Sequence, residues 1–249
     1  MSRYTHDGMT LVLGAMDGEI GAYCEQLRIT DEQRWNGFVF RCGSLDGHPL
    51  VVARCGVGKS LSAALTQHLI DRYHPDRMVL SGLAGALSAE LQIGDTLIAR
   101  DCLQYDLDAT ALGFELGEVP FSGYRILRCD PTLVASAERF SPHSGTVRSG
   151  RVLTGDRFVV DSTTPAYAYL RDQLYGDAVD MEGASVALVA ALNRVPFLLV
   201  RSISDKADGA HGAGLKTLLA RASRNSLACV RHILAADRSA ADPNGGSKR

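Results

Sequence analysis

Short apolar runs that end at a glycine or an acidic residue recur along this chain, and stretches with helical spacing separate them. Residues 10–14, 78–80 and 196–203 are the clearest of these runs, and they predict buried strands. Residues 17–27 and 59–73 place apolar side chains on one face of a helix. This alternation predicts an α/β fold in which helices cover both faces of a sheet.

A turn-rich segment, residues 43–47 (GSLDG), lies between two further apolar runs at 38–41 and 49–54. This arrangement predicts a β-hairpin early in the chain. A hairpin within an otherwise alternating pattern indicates a mixed sheet. We expect one domain over residues 1–236, and the polar composition of residues 237–249 predicts a disordered tail.

Charge and hydropathy exclude several classes of protein. The chain has 26 Lys+Arg and 28 Asp+Glu, a net charge of −2, which argues against nucleic acid as a partner. The longest apolar stretch, residues 184–200, contains Asn193, Arg194 and Pro196 and is a poor membrane span. No secretory signal pattern opens the chain, and its six cysteines form neither a CxxC pair nor a Cys/His cluster. We therefore expect a cytoplasmic protein with reduced thiols and no metal site.

The segment GVGKS, residues 56–60, is similar to the end of a phosphate-binding loop. A complete loop of that kind needs a glycine at position 53, where this chain has Ala53, and a dinucleotide fingerprint needs one at Leu61. Nucleoside triphosphate hydrolysis is therefore disfavoured. Two interpretations remain open, a tight strand-to-helix turn that needs two glycines and a loop whose backbone lines a pocket for a neutral ligand.

Three stretches place an acidic residue beside a strand end, with Glu19, Glu182 and Asp205 as the candidates. Ligands of open α/β folds bind at the carboxyl ends of strands. Partial burial there raises the pKa of a carboxyl group and makes it a usable proton donor. Each residue also has a purely structural interpretation. Glu19 and Glu182 would lie at the start of a helix, where acidic side chains are favoured, and Asp205 would be an N-cap or Asx-turn residue.

Seven motifs in order resemble the nucleoside phosphorylase superfamily and, within it, the 5′-methylthioadenosine/S-adenosylhomocysteine nucleosidases. GAMDGEI is similar to the family's GAMEEEV, CGVGK to SGIGK, SGLAGAL to GSAGGL, and DATALGFELGEVP to DVTAFGYxxGQxP. TGDRFV resembles SGDxFI, VDMEGASVA resembles VEMExxAxA, and VRSISDKAD resembles VRAISDxAD. Any one motif would be a weak signal, but their order across residues 11–211 is specific.

The resemblance implies a fold and a reaction. The fold would be a single α/β domain with a central mixed, partly barrel-like sheet flanked by helices. The reaction would be hydrolysis of the N-glycosidic bond of 5′-methylthioadenosine, S-adenosylhomocysteine or both, without metal or organic cofactor. Asp205 would protonate the leaving adenine, and Glu19 would orient and deprotonate the attacking water. Carboxylates near the anomeric carbon would favour an oxocarbenium-like transition state.

The resemblance also implies how the substrate would be held. Glu182 would bind the ribose hydroxyls and Met181 would pack against the sugar. Phe158 would stack on the purine, and the backbone of Val159 would read its edge. Arg201 and Ser204 would position the water and the catalytic acid.

The pocket for the 5′ substituent would be shared between two copies of the chain. Its lining would be Met16 and Val57 together with Leu112 and Pro120 of a neighbouring subunit. The resemblance therefore implies a homodimer in which residues 109–121 of one subunit complete the pocket of the other.

The chain departs from the family pattern mainly on the 5′ side. Leu83 replaces a serine, Leu112 a phenylalanine and Glu118 a glutamine, and residues 209–214 lack a phenylalanine-bearing helix start. Three alternatives follow, a futalosine-type nucleoside hydrolase, a purine nucleoside phosphorylase and a non-catalytic nucleoside-binding protein. An anionic Glu19 would repel phosphate and favours water as nucleophile, although Arg54 is a basic candidate nearby.

Overall fold

The computed structural model describes residues 8–207 and 214–241, with side chains as far as residue 236. Within these ranges the strands are β1 (Thr10–Gly14), β2 (Arg28–Trp35), β3 (Phe38–Leu45), β4 (His48–Arg54), β5 (Arg77–Ala86), β6 (Thr96–Gln104), β7 (Leu127–Arg128), β8 (Val147–Thr154), β9 (Ala178–Asp180) and β10 (Phe197–Asp205). The helices are α1 (Asp17–Gln26), α2 (Lys59–Tyr73), α3 (Pro131–Ala137), α4 (Ala168–Asp172), α5 (Gly183–Asn193) and α6 (Leu215–Ala241). Short 3₁₀ turns occupy Thr110–Leu112 and Pro165–Tyr167.

Five strands close into a barrel. Strand β10 pairs with β6, β6 with β8, β8 with β9, β9 with β5, and β5 pairs back with β10. Strands β1, β4, β3 and β2 extend from β5 as an open arm, and β7 pairs with the edge of β6. Parallel and antiparallel pairs both occur, so the predicted mixed, partly barrel-like sheet is confirmed.

Strand β5 can serve both the barrel and the arm because it is ten residues long. Its first half pairs with β1, and its last residues, Gly85 and Ala86, pair with β9. Residues 82–85 (GLAG), whose small residues favour a bend in the sequence, therefore belong to a strand. Small residues are needed there because a Cβ on Gly82 would lie 2.1 Å from Arg201 Nη1, and one on Gly85 would lie 3.0 Å from Asp205 Oδ1.

The predicted hairpin is confirmed as β3 and β4, which pair antiparallel around a turn. Asp46 and Gly47 form that turn with φ of 50° and 85°, a left-handed conformation that suits glycine and is tolerated by aspartate. Strand β2 was not predicted. Its sequence, RITDEQRW, is polar and mostly exposed because it forms the outer edge of the sheet, where charged side chains discourage pairing with other chains.

Three other boundaries differ from the prediction. Helix α3 was missed, although Asp130 caps it through the backbone N–H groups of Thr132 and Leu133. Residues 163–174, whose sequence favours a helix, form a 3₁₀ turn followed by α4. Helix α6 continues to Ala241, five residues past the predicted domain boundary at 236, and residues 242–249 of the predicted tail lie outside the described residues.

Helix α6 packs across α1 and fixes its position. The Tyr23 hydroxyl lies 2.7 Å from Ser226 Oγ, and the backbone N–H of Ala22 donates to Ser223 Oγ at 2.9 Å. A Cβ on Gly18 would lie 2.9 Å from the side chain of Leu219, so the two helices meet closely beside Glu19. Across the described segments, every helix is too short or too polar to cross a membrane.

Candidate active site

A cavity of about 430 Å³ opens where β1, β5, β9 and β10 reach their carboxyl ends. Nine of the predicted site residues line it: Met16, Glu19, Val57, Phe158, Val159, Met181, Glu182, Ser204 and Asp205. Arg201 lies behind this lining, fully buried. The structure therefore brings the two predicted catalytic groups, Glu19 and Asp205, into one cleft.

Glu19 is buried with both carboxylate oxygens occupied. Oε2 accepts a hydrogen bond from the backbone N–H of Met16 at 2.9 Å, and Oε1 accepts one from Leu83 at 2.9 Å. The first bond makes Glu19 a helix-capping residue, so its structural interpretation is correct alongside its place in the cavity. Burial raises the pKa of Glu19, and Arg201 and the backbone N–H groups oppose that rise.

Arg201 joins the carboxylates behind the cavity. Its Nε and Nη2 donate to Asp180 Oδ2 at 2.9 and 2.6 Å, and Nη2 also lies 3.2 Å from Glu182 Oε2. Burial alone would lower the pKa of Arg201, but Asp180, Glu182 and Glu19 outweigh it and raise that pKa. Nη1 is buried and has no hydrogen-bond partner in the described part of the chain.

Asp180, which stands where the similar motif VEMExxAxA has a glutamate, anchors this cluster. Its Oδ1 accepts from Thr154 Oγ1 at 2.6 Å, and its Oδ2 accepts from the backbone N–H of Gly183 at 3.0 Å. Thr154 Oγ1 in turn accepts from the Ala184 N–H at 2.8 Å. Asp180 thereby ties Arg201 to the start of α5, the helix that Glu182 precedes.

Glu182 is a buried carboxyl group with a raised pKa. Its Oε1 accepts from the backbone N–H of Gly58 at 2.9 Å. Burial raises the pKa of Glu182 to about 7, with Asp180 and Glu19 adding to the rise and Arg201 and the Gly58 N–H opposing it. Glu182 therefore gains and loses a proton in the physiological range.

Asp205 is the last residue of β10 and lines the cavity. Its Oδ1 accepts from the backbone N–H of Ala207 at 2.9 Å, which confirms the predicted Asx-type turn. Its Oδ2 lies 2.6 Å from Ser204 Oγ, and that hydroxyl is also 3.3 Å from the carbonyl oxygen of Ala84. Ser204 thus fixes the direction in which the Asp205 carboxyl points.

The wall beside Asp205 is formed by the loop after β8. Phe158 is 63% exposed and presents an aromatic face to the cavity, while Val159 is buried in a small apolar cluster. The hydroxyl of Tyr105 donates to the carbonyl oxygen of Arg157 at 2.9 Å and holds this loop in place. An exposed aromatic ring on a fixed loop is suited to stacking on a planar base.

Four apolar residues of the cavity lining, which we call the outer cavity, are Met16 and Val57, both predicted to line the pocket, and Leu215 and Leu218 from the first turn of α6. Sequence reasoning missed both leucines because it compared that segment only with a phenylalanine-bearing pattern. Their spacing of three on a helix that follows a strand end was the available signal. Leu83 also lines the cavity, and its contact with Glu19 is made by its backbone N–H and not by its side chain.

Leu112 and Pro120 do not line the cavity of their own chain. Leu112 is 73% exposed and neighbouring Phe121 is 92% exposed. Phe121 packs edge-on against Phe114 with ring centroids 5.1 Å apart. The role of this loop in a neighbouring subunit's pocket stays a prediction.

The groups that suggested phosphate binding have other partners. The Gly58 N–H donates to Glu182, and the ammonium group of Lys59 lies 2.6 Å from Asp106 Oδ1. Arg54 pairs with Asp17 at 3.0 Å. Both open interpretations of the GVGKS segment are correct: Gly56 and Gly58 have φ of 80° and 95° in a tight turn between β4 and α2, and Val57 in the same turn lines the cavity.

Comparison with known proteins agrees with this geometry. The model of the phosphorylase superfamily matches residues 10–235. The 5′-methylthioadenosine/S-adenosylhomocysteine nucleosidase of Shewanella loihica is 32% identical over 225 residues, which cover 90% of this chain and 97% of that protein.

Solved structures resemble the whole chain. The 5′-methylthioadenosine/S-adenosylhomocysteine nucleosidase from Colwellia psychrerythraea, in complex with adenine, has a TM-score of 0.84 and 31% identity, covering 93% of this chain and 96% of its own. Futalosine hydrolase of Helicobacter pylori has a TM-score of 0.83 and 29% identity, covering 92% and 97%. The backbone is thus common to enzymes with different substrates, and side chains must separate them.

Proposed function

Because the chain belongs to the phosphorylase superfamily and, within it, to the 5′-methylthioadenosine/S-adenosylhomocysteine nucleosidases, we propose that it hydrolyses the N-glycosidic bond of these nucleosides. The products are adenine and the corresponding 5-thioribose. One observation supports the proposal above all others. Glu19, a buried carboxylate in the first turn of α1, and Asp205, a carboxyl at the end of β10, line the same cavity.

Asp205 acts on the leaving group. An adenine anion is a poor leaving group, so a proton must reach a ring nitrogen as the glycosidic bond breaks. Ser204 holds one carboxyl oxygen of Asp205 and the Ala207 N–H holds the other, which directs the group at a base stacked on Phe158. The electron pair of the broken bond stays on the base, and the acid's proton neutralises it.

Glu19 acts on the nucleophile. Water attacks the anomeric carbon, and Glu19 accepts the proton that this water releases. Its raised pKa makes the carboxylate a better base than an exposed glutamate. Nη1 of Arg201, which has no partner elsewhere in the described part of the chain, is suited to orient that water.

The charge of the cluster favours the transition state. Glu19, Asp180 and Glu182 surround the single guanidinium group of Arg201. Positive charge develops on the sugar as the bond breaks, and this excess of buried negative charge stabilises it. Ionised Glu182 accepts hydrogen bonds from the ribose hydroxyls, while Met181 packs on the sugar.

Water is favoured over phosphate for a physical reason. A phosphate dianion would have to sit against Glu19, and Arg54 is already paired with Asp17. Arg201 uses Nε and Nη2 for Asp180 and Glu182. The aliphatic outer cavity favours a thioether over an acidic 5′ substituent, which supports the methylthio nucleoside over the futalosine type.

The same proposal includes a homodimer in the cytoplasm. The exposed side chains of Leu112 and Phe121 are suited to burial against a second copy, where residues 109–121 would close its pocket. All six cysteines are free, which suits a reducing compartment. Light scattering of the wild type and of Leu112→Glu tests the dimer, and a fully active wild-type monomer would contradict it.

The reaction is tested by incubating the protein with methylthioadenosine, adenosylhomocysteine, deoxyadenosine and aminodeoxyfutalosine, with and without phosphate. We expect methylthioadenosine and adenosylhomocysteine to release adenine, each at the same rate with and without phosphate. Turnover that requires phosphate and yields a ribose 1-phosphate would identify a phosphorylase. Tight nucleoside binding without release of base would identify a binding protein.

A further inference from the structure

Lys59, Asp106 and Asp156 lie outside the cavity and form a closed ring of hydrogen bonds. We call it the Asp106 ring. Lys59 Nζ donates to Asp106 Oδ1 at 2.6 Å, and the Asp156 N–H donates to Asp106 Oδ2 at 2.8 Å. The Lys59 N–H donates to Asp156 Oδ1 at 2.8 Å and closes the ring. None of the three lines the cavity.

The ring joins two loops that carry predicted substrate contacts. Lys59 directly follows Gly58, whose N–H holds Glu182. Asp156 lies two residues before Phe158, the predicted base-stacking residue. Asp106 follows β6 and contacts both loops, one through each carboxylate oxygen. Displacement of Asp106 would therefore move the sugar-binding and base-binding sides of the site relative to each other.

The backbone conformation at Gly58 fits the contact between Lys59 and Asp156. Gly58 has φ of 95°, a conformation that favours glycine, and a Cβ there would lie 3.0 Å from Asp156 Oδ1. The Lys59 and Asp106 side chains are only 19% and 26% exposed, so their contact is partly shielded from water. All three bonds involve a charged group, and such hydrogen bonds are roughly twice as strong as neutral ones.

We propose that Lys59, Asp106 and Asp156 are positioning residues that fix the distance between the Gly58–Glu182 contact and Phe158. The inference rests on the proposed function. Stacking and ribose binding act on substrate before and during the reaction alike, so loss of the ring weakens binding and leaves the chemical step nearly unchanged.

The test compares Asp106→Asn with Asp71→Asn. Asparagine at 106 has one acceptor oxygen, so one of the two donors, Lys59 Nζ or the Asp156 N–H, faces an amide NH₂ instead. Asp71 is exposed on α2, the helix that begins at Lys59, and accepts a hydrogen bond from Gln67, so the same change there is a matched control outside the site.

We expect Asp106→Asn to raise KM for methylthioadenosine about tenfold with kcat within about twofold, and Asp71→Asn to change neither. Lys59→Met should match Asp106→Asn, while Lys59→Arg should retain most of the wild-type KM. The double variant Lys59→Met/Asp106→Asn should be no worse than either single variant because both break one ring. An unchanged KM in Asp106→Asn, equal effects at 106 and 71, or a fall in kcat alone would overturn the proposal.

Hydrogen–deuterium exchange separates this proposal from the proposed function, because it needs no turnover. Loss of the ring should speed amide exchange in residues 155–160 and 56–59 and leave the barrel strands β5 and β10 unchanged. Acceleration throughout the barrel would indicate general loosening and overturn the positioning role. If the wild type released no adenine, the proposed function would fail, and the exchange pattern would still decide whether the ring fixes these loops.

Discussion

Replacement of Glu182 by glutamine should separate stability from activity. Burial raises the pKa of Glu182 from 4.5 to about 7, and the neighbouring carboxylates of Asp180 and Glu19 add to the rise against the opposing charge of Arg201. A carboxyl group with a raised pKa in the folded state binds a proton that the unfolded chain releases, so the folded state loses stability as pH rises from about 4.5 through 7. At about 1.4 kcal/mol per pH unit, full ionisation of Glu182 costs the fold about 3 kcal/mol.

The observable is the difference between the free energies of unfolding of Glu182→Gln and wild type. Glutamine does not titrate, so this difference should become about 2 kcal/mol more favourable to the variant between pH 5.5 and pH 8. Urea unfolding followed by the fluorescence of Trp35, the single tryptophan, measures it. The same substitution at exposed Glu25 on α1 is the control, because it removes a carboxylate that lies outside the buried cluster.

Activity should change in the opposite sense. The variant loses the anionic acceptor for the ribose hydroxyls, so KM should rise sharply at pH 8, where the variant is relatively most stable. In the wild type KM should rise as pH falls below about 7, because protonated Glu182 is a poorer acceptor. A stability difference between Glu182→Gln and wild type that stays constant from pH 5.5 to 8 would refute the reasoning about buried charge.

Three further predictions concern the base wall, the outer cavity and the sheet arm. Phe158→Ala should raise KM about tenfold or more in steady-state assays and affect kcat less, because stacking acts in both ground and transition states. Leu218→Ser should lower kcat/KM for methylthioadenosine more than for adenosine, and equal losses would contradict an apolar 5′ pocket. His68 stacks on Trp35 at 4.1 Å, and burial and Arg72 lower its pKa below 6.5. The folded state therefore disfavours protonated His68, so thermal stability should fall below pH 6.5, and His68→Phe should reduce that fall.

The sequence predicted elements whose own residues carry a clear apolar pattern. Helix α2 has the predicted bounds, and β1 has them too, because apolar periodicity reports burial directly. Strand β2 escaped prediction because an edge strand with polar residues has no apolar signal. The full length of β5 was not predicted because Gly82 and Gly85 favour a bend. In the structure these glycines leave room for the side chains of Arg201 and Asp205.

The site was predicted mainly through motif order, and the contacts between motifs were not. Glu19, Glu182 and Asp205 were identifiable as acids beside strand ends. The bond between Asp180 and Arg201 joins residues that are 21 apart in sequence, and the Asp106 ring joins residues up to 97 apart. No local pattern encodes such contacts, because they depend on how the barrel closes.

The separate roles of Asp205 as the acid and Glu19 as the base are tested most directly with a leaving group that needs no proton. The substrate is the 4-nitrophenyl glycoside of 5-methylthioribose, compared with methylthioadenosine in phosphate-free buffer. Asp205→Asn should lose at least about 10²-fold in kcat on methylthioadenosine and stay within about tenfold of wild type on the nitrophenyl substrate, while Glu19→Gln should lose activity on both. Equal losses by Asp205→Asn on the two substrates, or retained activity in Glu19→Gln, would contradict an acid and a base acting on one glycosidic bond.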